Sequence, residues 1–197
     1  MNALNDHFST FGISRTFRDE DAAQLERRFH ELQRRYHPDR VAAQGTEAII
    51  TAMDFSSKVN EAYRALRDPI ARTKHLLSLY GYSVEQSKQV PMELLELVMN
   101  VQEQVAAIQG GFGTPSELAP TERDLNDRII AHKKEIDDLR TEWDAMKEHA
   151  ETREHLGADE VRILSSLTKS LATRAYLQTL YDTLSAAKEG RTLVLKH

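Results

Sequence analysis

Apolar residues recur at helical spacing along most of the chain. Leu25, Phe29, Leu32 and Tyr36 follow i, i+4, i+7, i+11, one face of an α-helix. Pro38 marks where that helix stops, because proline has no N–H to donate and pushes His37 out of the α region. Asp19, Glu20 and Asp21 open the helix and complement its dipole, with Asp19 the expected N-cap. A short helix over residues 5–12 precedes it, broken by Gly12, and offers Phe8 and Phe11, with Ile13 just beyond, for packing. Gly45 falls in the loop that follows. A third helix is predicted over 47–66, with Ala52, Phe55, Val59, Ala62 and Leu66 inward and Asp68-Pro69 as its stop. The connection is short, so this helix folds back antiparallel on the second. A short helix ending at Gly81 comes next, and the polar stretch 83–90 reads as a loop.

The second half repeats the pattern with longer helices. Pro91 takes the first-turn position of a helix whose Leu94, Val98, Val101, Val105 and Ile108 follow 4-3-4-3 spacing, a buried seam. Met92, Leu95 and Met99 form a second apolar group on that helix, centred about 130° from the seam at 100° per residue. Glu96 and Glu103 lie beside it. Either another helix covers this group or it is an exposed contact surface. The run Gly110-Gly111-Phe112-Gly113 lacks a phosphate loop's Gly-Lys-Ser/Thr ending and reads as a turn. Residues 121–155 then carry Leu125, Ile129, His132, Ile136, Leu139, Trp143, Met146 and Ala150 in alternating steps of four and three. His132 lies on that seam and is expected to be a packed core residue. Gly157 ends the helix. The last one, over 159–188, has Leu164, Leu167 and Leu171 in one half and Leu177, Leu180 and Leu184 on nearly the opposite face of the other. It is either buried on two sides or irregular midway.

Composition narrows the class. Long runs of Ala, Glu, Lys, Leu and Arg with few Gly and Pro predict an all-α chain. Its 197 residues suffice for one or two cores. With no cysteine there is neither a disulfide nor thiolate chemistry. The net charge of -5 argues against a nucleic-acid binder. No apolar run reaches the ~18 residues of a membrane span. The first residues lack the charged and apolar regions of a signal peptide. The expectation is a cytoplasmic protein that binds neither membrane nor nucleic acid.

The candidate chemistry gathers at Tyr36-His37-Pro38-Asp39-Arg40. Here a proline-stopped helix end presents an imidazole and a carboxylate. They are possible metal ligands, but no neighbouring His or Asp completes a recognisable site. They are a possible acid/base pair, but no nucleophile motif accompanies them. A solvated turn and a recognition element are the other readings. Arg27 and Arg34, like Arg28 and Arg35, lie seven residues apart and stack in rows running to this turn. A charged row is usually a solvated face. Arginine, however, suits forked pairing with a partner's carboxylates.

Asp6-His7-Phe8, Phe11-Gly12-Ile13, the His-Pro-Asp tripeptide and Asn60-Glu61-Ala62-Tyr63 through Leu66-x-Asp68-Pro69 resemble a J-domain, the signature of co-chaperones of DnaK-type ATPases. The chain beyond it is similar to one branch, the HscB family of iron–sulfur cluster assembly. That resemblance implies a J-domain over 1–76, a connector over 77–90 and an antiparallel three-helix bundle over 91–197. It implies that Arg27, Arg28, Arg34, Arg35, His37, Pro38 and Asp39 dock on a DnaK/HscA-type chaperone and stimulate its ATPase. Met92, Leu95, Glu96, Met99, Asn100 and Glu103, with Tyr176 from the last helix, would hold an IscU-like scaffold. Asn100 stands where the family favours an acid. No cluster, cofactor or metal is expected on a chain without cysteine, and no catalytic residue, since the chaperone consumes the ATP. Two alternatives stay open: a general J-domain co-chaperone with another client, and a metal-dependent hydrolase using His37 and Asp39.

Overall fold

The computed structural model describes residues 6–84, 90–148 and 156–191. Among them there is no strand, and the chain is all-α. Contacts divide it into two compact units. The first is Met1–Tyr82 with Arg140–Glu160, and the second is Ser83–Leu139 with Val161–His197.

In the first unit, α1 (His7–Phe11) is capped by Asp6, whose carboxylate accepts the Phe8 N–H at 3.0 Å. Gly12 closes it at φ 60, a left-handed conformation that glycine adopts without a Cβ clash. Helix α2 (Asp19–Arg35) starts one residue earlier than the capping expectation, so Arg18 holds the cap position and makes no side-chain cap. Helices α2 and α4 (Thr46–Arg67) form an antiparallel hairpin. Its register is fixed by Tyr36 against Phe55 with ring centroids 4.1 Å apart, Phe29 stacked on Tyr63 at 4.0 Å, and a Gln33–Asn60 hydrogen bond of 3.0 Å. Between them run α3 (Pro38–Val41) and a 3-10 turn at Ala42–Gln44. Asp68 ends α4 and caps α5 (Pro69–Leu79), accepting the Ala71 N–H at 2.6 Å. Phe8, Phe11, Leu25, Val59, Leu66, Leu76 and Leu77 are buried.

The second unit begins with a 3-10 turn, Met92–Leu94, that leads into α6 (Leu95–Gln109). Pro91 therefore caps a turn from extended backbone instead of opening the α-helix as its first residue. A turn and a second 3-10 segment, Pro115–Leu118, lead to α7 (Ala119–Glu148). Helix α8 (Ala158–Lys188) follows. Leu94, Leu97, Val98, Val101, Leu118, Leu125, Leu177, Leu180 and Leu184 share one core. Lys188 reaches Glu122 at 2.7 Å and Ser170 reaches Glu135 at 2.8 Å, so α7 and α8 run antiparallel.

The expectation of one seam along α7 meets a division. Leu125, Ile136 and Leu139 are buried in the second unit, whereas Trp143 is buried in the first. At 1.5 Å per residue a helix of 30 residues is about 45 Å long, more than one small core can cover. The Trp143 indole N–H donates to the Arg15 carbonyl at 2.8 Å, and Tyr80 meets its ring edge-on at 5.4 Å. Ala150 and the 149–155 end of that predicted helix lie outside the described residues, as does 85–89 of the predicted loop. Helix α8 is continuous and buried on two sides, which decides the alternative left open above.

Candidate functional site

The first candidate site is the His-Pro-Asp turn. His37 leaves the helix in extended backbone, φ -67 and ψ 131, as a residue before proline must. Its Nδ1 accepts the Asp39 backbone N–H at 3.2 Å and so caps α3. The Asp39 carboxylate lies 3.5 Å from the same nitrogen. In the tautomer that accepts this N–H, Nε2 is the ring's remaining donor. The Asp39 side chain is 89% exposed, and that of His37 about half exposed. Apart from that contact with the His37 ring, the Asp39 carboxylate is open to solvent and can accept hydrogen bonds from outside.

Arg27, Arg28, Arg34 and Arg35 are all exposed. Arg28 pairs with Glu31 at 3.2 Å, Arg34 Nε donates to the His30 carbonyl, and the Arg35 guanidinium lies 5.5 Å from the Tyr36 ring centroid. These are weak surface contacts that a partner can displace. Gln33, Arg34, His37 and Arg40 line an open groove beside the turn. Arg40 was absent from the expected site. Its Nη1 donates to the Arg34 carbonyl at 3.3 Å and ties the turn back to the end of α2. Its place directly after Asp39 was the available signal. Among the described residues, no three His, Asp or Glu side chains come together as a metal site.

The second candidate site lies on α6. Its seam residues Leu94, Val98 and Val101 are buried. Away from that seam Met99 is 70% and Leu95 44% exposed on α6, and Met92, in the 3-10 turn that leads into it, is 85% exposed. Glu96, Asn100 and Glu103 are exposed beside them. No described helix covers this group. Tyr176, on α8, is half-buried and packs against the core that α6 shares, and burial pushes its phenol pKa up. A 3.3 Å contact from Lys169 to Glu93 tethers α8 to the turn that carries Met92.

His132, expected as a packed core residue, is only half-buried and polar in its contacts. Its Nδ1 lies 3.0 Å from the Glu135 carboxylate and 2.9 Å from the Ser170 hydroxyl, which itself donates to Glu135. Serine, histidine and carboxylate recur in hydrolases. Here hydroxyl and carboxylate meet the same ring nitrogen, so the imidazole cannot pass a proton from one to the other. The trio joins α7 to α8.

No family model matches the chain. A co-chaperone protein HscB from Proteus mirabilis is 38% identical over 84 residues, 43% of this chain and 48% of that protein. An HscB homolog from Vibrio vulnificus is 35% identical over 116 residues, 57% of this chain and 67% of that protein. The chain belongs to the HscB co-chaperone family. It spans about half to two thirds of the length of these HscB relatives. Among solved structures, HscB from Vibrio cholerae matches with a TM-score of 0.58 over 94% of this chain and 98% of that one. At 20% identity that is a likeness of fold. No described helix is long and apolar enough to cross a membrane.

Proposed function

We propose that this chain is an adaptor in iron–sulfur cluster assembly in the cytoplasm. Its second unit binds an IscU-like scaffold through Met92, Leu95 and Met99, with Glu96, Asn100, Glu103 and Tyr176 around them. Its first unit docks the arginine face of α2 and the His37-Pro38-Asp39 turn on a DnaK/HscA-type chaperone and stimulates ATP hydrolysis there. The chain itself makes and breaks no bonds. Holding both partners raises the local concentration of client at the chaperone, so each contact can be weak.

The observation that carries this reading is the bare apolar face of α6, opposite a seam that is already buried. A helix satisfied on one side has no folding reason to keep Met92, Leu95 and Met99 on the other. The test separates the two ends. Asp39→Asn keeps the size of the side chain and removes its charge. It is expected to abolish stimulation of the chaperone's steady-state ATPase while scaffold affinity, measured by calorimetry, stays unchanged. Normal stimulation by the variant would refute docking through the turn.

A further inference from the structure

Sulfur chemistry in this chain rests on methionine, since there is no cysteine among its 197 residues and there are five methionines. Two of the five stand on α6 and on the turn that leads into it. Met92 and Met99 are 85% and 70% exposed, more open than any other described methionine, and they flank Leu95 at i, i+3, i+7. Met53 on α4 is 57% exposed, and Met146 is half-buried. A methionine thioether is soft and adaptable, which suits an apolar contact, and it is also the group that peroxides attack.

We propose that Met92 and Met99 are reversible oxidation sites whose conversion to sulfoxides releases the partner held by this face. The inference rests on the reading of the face as a scaffold surface. In the reaction a sulfur lone pair attacks one oxygen of hydrogen peroxide. An S–O bond forms as the O–O bond breaks, the departing hydroxide takes up the remaining proton and leaves as water, and sulfur loses two electrons. A methionine sulfoxide reductase, with a thiol as reductant, reverses the change.

The chemistry around the two sulfurs makes the effect large. A sulfoxide oxygen is a strong acceptor, and burying it at an interface requires a donor. The groups rimming the face are Glu93, Glu96 and Glu103, which as carboxylates donate nothing, and Glu93 is already met by Lys169. Asn100 and the Tyr176 phenol are donors that the same reading commits to the partner, and Lys169 is engaged by Glu93. A sulfoxide oxygen on Met92 or Met99 therefore competes with those contacts on docking or loses its water without a replacement. Met53 is on α4 of the first unit, and peptide mapping separates oxidation there from oxidation at Met92 and Met99.

The test uses the full chain. It is treated with hydrogen peroxide, cleared with catalase, mapped for sulfoxides by peptide mass spectrometry, and titrated calorimetrically with an IscU-like scaffold that has not been treated. Oxidised wild type is expected to bind roughly tenfold more weakly, and reductase treatment to restore binding. Met92→Leu combined with Met99→Leu keeps an apolar face without sulfur, and peroxide should leave its affinity unchanged. Unaltered binding by protein carrying both sulfoxides would overturn the proposal. So would an equal loss in the double variant, which would place the effect at another residue. Failure of untreated wild type to bind the scaffold would instead defeat the reading of the surface, and this inference with it.

Discussion

Truncating the α6 face gives the sharpest test of the adaptor reading. The perturbation is Leu95→Ala with Met99→Ala. Fully burying a leucine or methionine side chain contributes about 1.5–3 kcal/mol, but only the part still in water can be buried by a partner. Leu95 is 44% and Met99 70% exposed, so scaling by those fractions leaves about 1 and about 1.5 kcal/mol. The pair is then worth about 2–3 kcal/mol, a roughly 30- to 150-fold loss of affinity. Calorimetry with the scaffold measures it. Leu95 is more than half buried in the free chain, so the variant also loses some stability, and its thermal midpoint is measured to show that it is folded at the titration temperature. An affinity within about threefold of wild type in the folded variant would remove this face from the binding site.

Three further outcomes concern the fold that positions the sites. Burial and the neighbouring His7 push the His75 imidazole down to about 4, and its Nε2 accepts the His7 backbone N–H at 3.0 Å with Asp6 and Arg15 as its charged neighbours. The folded chain therefore binds fewer protons than the unfolded chain between about pH 6.5 and 4. Stability should fall by about 2 kcal/mol as pH drops through that window, after allowing for solvent screening, and urea titrations of His75→Gln should show a flatter profile. Trp143→Ala should cost about 3–5 kcal/mol, read as a lower denaturation midpoint, because it empties a buried site and frees the Arg15 carbonyl. Asp68→Ala should cost about 1 kcal/mol by removing the cap on α5, and an unchanged midpoint would deny that cap a role.

The helical hairpin of the first unit could be read in the sequence because its stripes are apolar and regular. Leu25 on α2 and Ala52, Val59, Ala62 and Leu66 on α4 all fall where the period placed them. Two features were less legible. The two faces of α8 looked like a contradiction because its burial depends on Ser170, Thr173, Thr183, Ala186 and Ala187 as well as leucines. Small and hydroxylated residues leave no apolar stripe. In a helix the hydroxyl can return to its own backbone, as Thr183 does to the Thr179 carbonyl at 2.8 Å. The division of α7 was hidden for the opposite reason. A seam with steps of four and three has the same period whichever core receives it, so periodicity identifies the buried face without saying what buries it.

The candidate sites differ in how far geometry alone could find them. On α6 the phase of the seam fixes which residues face away, and apolar side chains there need an explanation outside the fold. On α2 the same logic is silent. An arginine pointing to water satisfies itself, and the local contacts of Arg28, Arg34 and Arg35 are those of any charged helix. What distinguishes that face is the turn beyond it, where Pro38 stops the helix, His37 Nδ1 caps the next one, and the Asp39 carboxylate beside it stays open to solvent. The two surfaces thus rest on different physics. Exposed arginines work through charges that salt screens within about 10 Å at moderate ionic strength, whereas burial of Met92, Leu95 and Met99 is nearly indifferent to salt. Raising ionic strength should therefore weaken the chaperone end well before the scaffold end, and a chain whose two partners were lost together would be using one kind of surface for both.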